Sequence, residues 1–406
     1  MLQKRLFSSL GTPRKDFLGV FILLLNAFTW YYMTILVIDA FLELFSPATS
    51  LTLTVWVIYY GAVIASSIVG AIIPGTSRPR FLYLWISLGV VASLLPALSF
   101  IPPPVWSLFL GFTLGLGMPA CLTYFANHST IENRGKTGGI IFLSFSLSAA
   151  LLALSFTQLN FTISVLVFAL WRGMALLVFI PLRTDELSMA KEKKHVGFAE
   201  VIRDRSFRLY LIAWTMFILI DRFTWSIWGR NLGPPLDTVA IMGPILGSVA
   251  AFAGGILSDR VGRKGVVIGG FVALGLAYAA LGIAPPAPDM PLSGYIYLAV
   301  DGIAWGVLLM TFLLTLWGDL AQHGGGEKYY AIGVAPYYFT GIMESILNTY
   351  VLKIPAYAAF SVASFFLFIA VLPLLYAPET LPEKKIETRR LKGYLEHAKK
   401  LREKIS

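Results

Sequence analysis

An ionisable side chain inside a long apolar stretch costs at least a few kcal/mol in a bilayer, so it faces protein or water and marks a site of chemistry. Four places in this chain qualify. Asp221 and Arg222 sit near the middle of the apolar segment 209–229. Steps of three and four residues put Trp214, Ile218, Asp221, Trp225 and Trp228 on one stripe, an acid framed by aromatic rings. Asp301 lies in the outer third of segment 295–319, with Trp305 one turn below it. Tyr337, Gly341, Glu344 and Asn348 share a face of segment 330–351, and Arg172 is close to the centre of segment 161–181. A carboxyl that alternates between water and a low-dielectric site can take up and release a proton, which is what a proton-coupled carrier needs. Glu344 or Asp301 is the residue assigned to that work. Against this stands a static reading, in which Asp221 simply pairs with its neighbour Arg222 and the Trp and Tyr residues only pack. No His lies mid-membrane, and no metal or other cofactor is expected.

The elements that hold these residues follow from composition. Of 406 residues, 57% are hydrophobic and 13% charged, where a soluble chain carries about 25% charged. Only a membrane protein fits. A spanning helix needs about 20 largely apolar residues, and that ruler gives twelve segments: 17–38, 51–73, 81–99, 104–127, 138–157, 161–181, 209–229, 238–257, 266–284, 295–319, 330–351 and 356–376. Lys and Arg gather at one set of ends, at Arg78, Arg80, Arg134, Lys136, the 183–208 linker, Arg260 to Lys264, Lys328 and both termini. The opposite loops carry only Arg230 and Lys353 and are punctuated by proline. Positive residues stay cytoplasmic, so both termini are expected there, and an even helix count agrees. The net charge of +10 is therefore topology rather than a nucleic-acid site. The single Cys121 permits no internal disulfide. The first apolar segment is long enough to span, which reads as a retained helix rather than a cleaved signal.

The linker 183–208 divides the chain into a half at 17–182 and a half at 209–376, after a terminus at 1–16. The tail 377–406 repeats Leu391, Tyr394, Leu395, Ala398, Leu401 and Ile405 at helical spacing among basic residues, the pattern of an amphipathic helix on anionic lipid or in solvent. Small-residue pairs at Gly111/Gly115, Gly243/Gly247 and Gly302/Gly306 allow close helix contacts. The run Gly324-Gly325-Gly326-Glu327-Lys328 lacks the spacing of a phosphate loop.

Between segments eight and nine lies Gly255-Ile-Leu-Ser-Asp259-Arg260-Val-Gly262-Arg263-Lys264, expected as a tight polar loop at the membrane face. It resembles the signature loop of the major facilitator superfamily, roughly G-x-x-x-D-x-x-G-R-K/R, at Gly255, Asp259, Gly262, Arg263 and Lys264. In the first half, Gly70 to Arg78 occupies the equivalent place, with Pro74 where the acid would be. A second echo sets Glu132-Asn-Arg134-Gly135 against Glu327-Lys328. Pro378-Glu379-Thr380 is similar to an element that follows the last helix in sugar porters.

The resemblance implies an all-α membrane fold of twelve helices in two pseudo-symmetric halves, alternating access around a mid-membrane site, and monomeric action. Helices 1, 4, 7 and 10 line the cavity in that family, which adds Asn26, Trp30 and Tyr124 from the first half to the acids of the second. Helix 6 faces lipid there, which makes Arg172 structural, in need of an acid or carbonyl partner. Asp259 is implied to latch the cytoplasmic side by capping the start of helix 5 near Thr137, Gly138 and Gly139, with Glu132, Arg134 and Glu327 beside it. The expected function is secondary transport of a small organic solute across the plasma membrane, coupled to H+. Acids with Trp and Tyr suit a sugar and equally an amphiphilic cation, so multidrug export is the alternative, and a non-transporting sensor is the reading from another class. An enzyme is not expected, because the longest internal polar linker holds one His, His195, and no Cys.

Overall fold

Every backbone N–H and C=O in a bilayer must find its partner within the chain, so apolar segments of spanning length become helices. The computed structural model describes residues 14–45, 49–73, 79–179, 196–232, 236–284 and 292–382. Twelve long helices occupy them. The first half holds α1 (Arg14–Phe45), α2 (Thr49–Ile72), α3 (Pro79–Leu94), α4 (Pro103–His128), α5 (Arg134–Gln158) and α6 (Phe161–Phe179). The second holds α7 (Arg205–Leu232), α8 (Leu236–Val261), α9 (Arg263–Ile283), α10 (Leu292–Met310, prolonged to Leu320 through a π-helical stretch at Thr311–Leu316), α11 (Gly326–Val351) and α12 (Ala356–Tyr376). Ten are long and apolar enough to cross a membrane by length and composition. Proline opens α3 and α4 and precedes α12, positions where its missing N–H costs nothing.

The packing repeats after six helices. In the first half α1 lies on α5 and α6, α2 on α4, and α3 on α6; in the second α7 lies on α11 and α12, α8 on α10, and α9 on α12. The halves meet along α5 with α8 and α2 with α11, a pair of contacts that the same six-helix shift exchanges. Glycine makes the tightest of these possible. A Cβ on Gly111 or Gly115 would stand 2.3 or 2.1 Å from the Tyr59 or Val63 carbonyl oxygen of α2, and one on Gly306 would stand 1.9 Å from the Gly247 oxygen of α8. A Cβ on Gly243 would meet nothing within 4 Å, although the Gly243 carbonyl oxygen stands 3.1 Å from one placed on Gly302.

Three boundaries differ from the sequence reading. α1 runs on to Phe45 and takes Asp39 and Glu43 with it. The linker ends early, because a short helix at Phe198–Arg203 leads straight into α7 at Arg205. The polar loop after α8 is no loop: Gly255 to Val261 are helical, and Gly262 alone, at φ 108°, makes the turn. Pro74, Arg78, residues 183–195 and the tail helix lie outside the described residues.

Candidate functional site

Two constellations stand out, one at the basic face where α1 begins and α12 ends, the other at mid-depth. At the basic face the last turn of α8 presents Asp259 to the first turn of α5. Its two carboxylate oxygens accept the Gly135 and Lys136 N–H groups at 3.0 and 2.7 Å. Those free N–H groups and the helix dipole favour an anion there. The capped residues are two positions earlier than Thr137, because α5 begins at Arg134. Gly135 and Gly255 let the helices meet: a Cβ on Gly255 would stand 2.2 Å from the Gly135 oxygen.

Arg263 binds Asp259 at 2.6 Å, Asp319 at 3.2 Å and the Ile131 carbonyl at 2.6 Å. Arg134 pairs with Asp319 across the halves and also donates to the Ala126 carbonyl at 2.8 Å. Two guanidinium groups and two carboxylates thus form a neutral foursome with side chains 0–7% exposed. Removing one member of such a set leaves an uncompensated buried charge, which costs about 3–5 kcal/mol. Lys264 faces its own half, its N–H on Glu379 at 3.0 Å and its ammonium on the Leu375 carbonyl at 2.7 Å. Glu132 lies in the turn before α5 and Glu327 in the first turn of α11.

Asp319 was missed by sequence reasoning; its only signal was an acid at the basic end of an apolar segment. Pro378, Glu379 and Thr380 are each used. The Pro378 carbonyl accepts from Tyr210 at 2.8 Å, Glu379 accepts the Arg263 N–H at 2.8 Å, and Thr380 donates to Asp319 at 3.2 Å.

Further from the basic face the second half gathers its acids. Trp305 donates its indole N–H to Asp221, and Arg222 turns away to Glu344 at 3.3 Å, which Ser226 also reaches at 3.2 Å. The charge pair is therefore Arg222 with Glu344, not Arg222 with Asp221. The Arg222 guanidinium lies 4.9 Å from the Tyr337 ring centre. Asp301 accepts from Tyr297 at 3.2 Å, and Tyr297 continues through Tyr278 to Thr224 at 3.1 and 2.6 Å. Asn348 stands one turn beyond Glu344, its buried Oδ1 without a hydrogen-bond partner among the described residues. Trp225 is 44% exposed and stacks on the buried Trp228, so the helix-7 stripe splits between core and surface.

The first-half residues go elsewhere. Asn26 accepts from Arg172 at 2.8 Å and donates to the Trp171 carbonyl at 2.7 Å. The Arg172 guanidinium is sandwiched 4.3 Å from Trp30 and 4.2 Å from Trp85, and a Cβ on Gly89 would stand 2.6 Å from its Nε. Tyr124 packs on His128 and Phe179. All three expected first-half residues thus face the interior of their own half, because α1 lies on α6 and α4 on α3. Tyr31, on another face of α1, is what meets the second half, edge-on to Tyr337 and Tyr338 at 6.1 and 6.2 Å.

The side chains of Arg222 and Glu344 keep 21% and 25% exposure while the latch keeps almost none, so this structure is closed towards the basic face. Two pseudo-symmetric six-helix halves, latched at one face over a charged mid-depth site, define a membrane carrier. The model of the Major Facilitator Superfamily matches residues 17–341, and the chain belongs to that family. Its members are transporters. The fold is similar to solved structures of the E. coli fucose:proton symporter FucP (TM-score 0.68, 12% identity, 89% of this chain and 98% of that one). It is also similar to the human organic anion transporter MFSD10 (TETRAN) (0.62, 15%, 89% and 100%) and to the proton:xylose symporter XylE bound to 6-bromo-6-deoxy-D-glucose (0.61, 15%, 90% and 96%). No curated protein matches significantly.

Proposed function

We propose that this chain is a secondary carrier that moves a small polar organic solute together with protons by alternating access. The observation that carries the reading is a contrast: a buried, neutral foursome of charges zips the halves at one face, while the Arg222–Glu344 pair stays accessible between them. Breaking and remaking such a latch is what rocking halves require. In this reading the basic face is cytoplasmic, the protein acts as a monomer in the plasma membrane, and Asp301 and Glu344 exchange the protons. A carboxylate within the span needs a cation or a proton; Glu344 has Arg222, and Asp301 has only the phenol of Tyr297 among its described hydrogen bonds. Asp221, Trp305, Tyr337 and Asn348 complete the solute site. Two proteins of similar fold bear the names of sugar:proton symporters, which supports proton coupling.

A second reading, export of a lipophilic cation, is favoured by three acids against one arginine and by the half-exposed Trp225. A thermal-stability screen of the purified protein against sugars, organic acids, amino acids and lipophilic cations separates the two. A ligand at 100 times its Kd adds about 2.7 kcal/mol. The hit is then tested for uptake into liposomes under an imposed pH gradient. Gradient-driven flux abolished in Asp301→Asn or Glu344→Gln supports the proposal; binding with no flux leaves a sensor.

A further inference from the structure

Arg222 is a mid-depth cation that faces the gap between the halves, and what surrounds it is rich in donors. Tyr31 of α1, Tyr60 of α2 and Tyr337 of α11 all lie within electrostatic reach of its guanidinium. Tyr59 stands beside Tyr60, their ring centres 5.2 Å apart, and Tyr60 is tilted against Tyr338 at 6.5 Å. The hydroxyl oxygens of Tyr31 and Tyr59 are buried, yet neither has a hydrogen-bond partner among the described residues. A buried hydroxyl without a partner is costly and calls for one. Among the described residues the bond that holds Arg222 is loose, a single 3.3 Å contact with Glu344, although a guanidinium can bind a carboxylate through two parallel N–H donors.

We propose that the solute of this carrier is a small monocarboxylate that takes Glu344's place on Arg222, while Glu344 takes the proton. The proposal rests on the carrier reading above and names its substrate class. The charges balance. Arg222 with ionised Glu344 is neutral; Arg222 with a bound carboxylate and protonated Glu344 is neutral again. No bond in the solute breaks, and one proton travels with each anion. A carboxylate arriving without the proton adds a negative charge among acids, because Asp39 and Asp221 both lie within electrostatic reach of Glu344.

The groups facing Glu344 are therefore Asp39 from α1, Tyr60 from α2, Asp221 and Arg222 from α7, with Glu43 beside Asp39. With one positive charge among them, a dianion such as phosphate is excluded. The tyrosine rings offer flat apolar faces to the body of the acid, and the free hydroxyls of Tyr31 and Tyr59 offer donors to its remaining lone pairs.

The test uses the full-length protein in detergent, with benzoate, lactate and acetate as probes, and benzamide and lactamide as their uncharged counterparts. Glucose and tetraphenylphosphonium complete the set. At least one carboxylate is expected to raise the melting temperature, more at acidic than at neutral pH, since the complex holds one more proton than the free protein. The amides are expected to have no effect. Glu344→Gln removes the competitor: affinity for the carboxylate rises by about tenfold or more at neutral pH, and the pH dependence flattens. Arg222→Gln loses binding. If that variant does not fold, Tyr31→Phe keeps the ion pair and lowers affinity severalfold. No carboxylate shift, equal shifts with the amides, or an unchanged pH profile in Glu344→Gln overturns the proposal. Flux of glucose or tetraphenylphosphonium without carboxylate binding sinks the monocarboxylate and leaves the carrier. Carboxylate binding tightened by Glu344→Gln, with no flux through the unmodified protein, does the reverse.

Discussion

Asp319 is placed where one carboxylate can serve two guanidinium groups, Arg134 of the first half and Arg263 of the second. Asp319→Asn leaves both cations buried with Asp259 as the remaining acid. The cost to the closed state is about 3–5 kcal/mol, and the carrier has an escape that a soluble core lacks, since opening the basic face hydrates the arginines. The variant is therefore expected to fold and to populate the open form, read as faster maleimide labelling of cysteines placed along the facing surfaces of α5 and α8. Asp259→Asn is expected to act the same way and more weakly, because an asparagine oxygen can still accept one N–H from the start of α5. Unchanged labelling in both would remove the latch from the account. Arg172 illustrates the opposite case. Its place in the sequence calls for an acid or a carbonyl as partner, and it is met by the side-chain oxygen of Asn26 and two indole faces.

At the scale of elements, the contacts α2 with α4 and α8 with α10 are backbone against backbone, and their closeness is set by the absence of a side chain. Gly306→Val drives methyl groups into the Gly247 carbonyl of α8, where neither partner can move aside. A loss of several degrees or more in melting temperature is expected, while Gly243→Ala, which opens onto empty space, leaves it unchanged. The start of α9 is tied to the end of α12 by Glu379, which accepts the first two backbone N–H groups of α9. Glu379→Ala is expected to cost about 1 kcal/mol, the value of a helix cap, seen as a smaller drop in the same measurement. Segment lengths and glycine pairs were legible in the sequence because spanning length and small-residue spacing are local properties. The single-residue turn at Gly262 was not, since a polar run reads as loop whether or not the helix continues through it.

For the molecule as a whole, the six-helix repeat makes each closing contact one of a pair, α5 with α8 and α2 with α11. The one described ion pair that bridges the halves, Arg134 with Asp319, lies beside the first contact, where Asp259 also caps α5, so the latch is lopsided even though the fold is symmetric. Spin labels on Lys136 and Arg260, at the basic ends of α5 and α8, are expected to give a single short distance in the unmodified latch. In Asp319→Asn a second, longer distance is expected. The one native thiol, Cys121, is fully buried and is expected to stay unlabelled in the folded protein, which leaves the measurement clean. A single unchanged distance in the variant would mean that the halves do not rock about this face.

Hydropathy, lysine and arginine placement and one ten-residue motif were enough, by themselves, to determine a twelve-helix carrier of this family, because the bilayer permits few solutions to the backbone's hydrogen bonds. The acids of the second half were legible for the same reason: a charge in an apolar segment cannot hide. What only the tertiary structure decided was partnership. Asp221 and Arg222 are adjacent in the chain and diverge around α7 to Trp305 and Glu344, whereas Asn26, Trp30 and Tyr124 turn into their own half and leave Tyr31 to meet the other. Helical phase relative to neighbours decides such matters, and phase depends on which helices pack together.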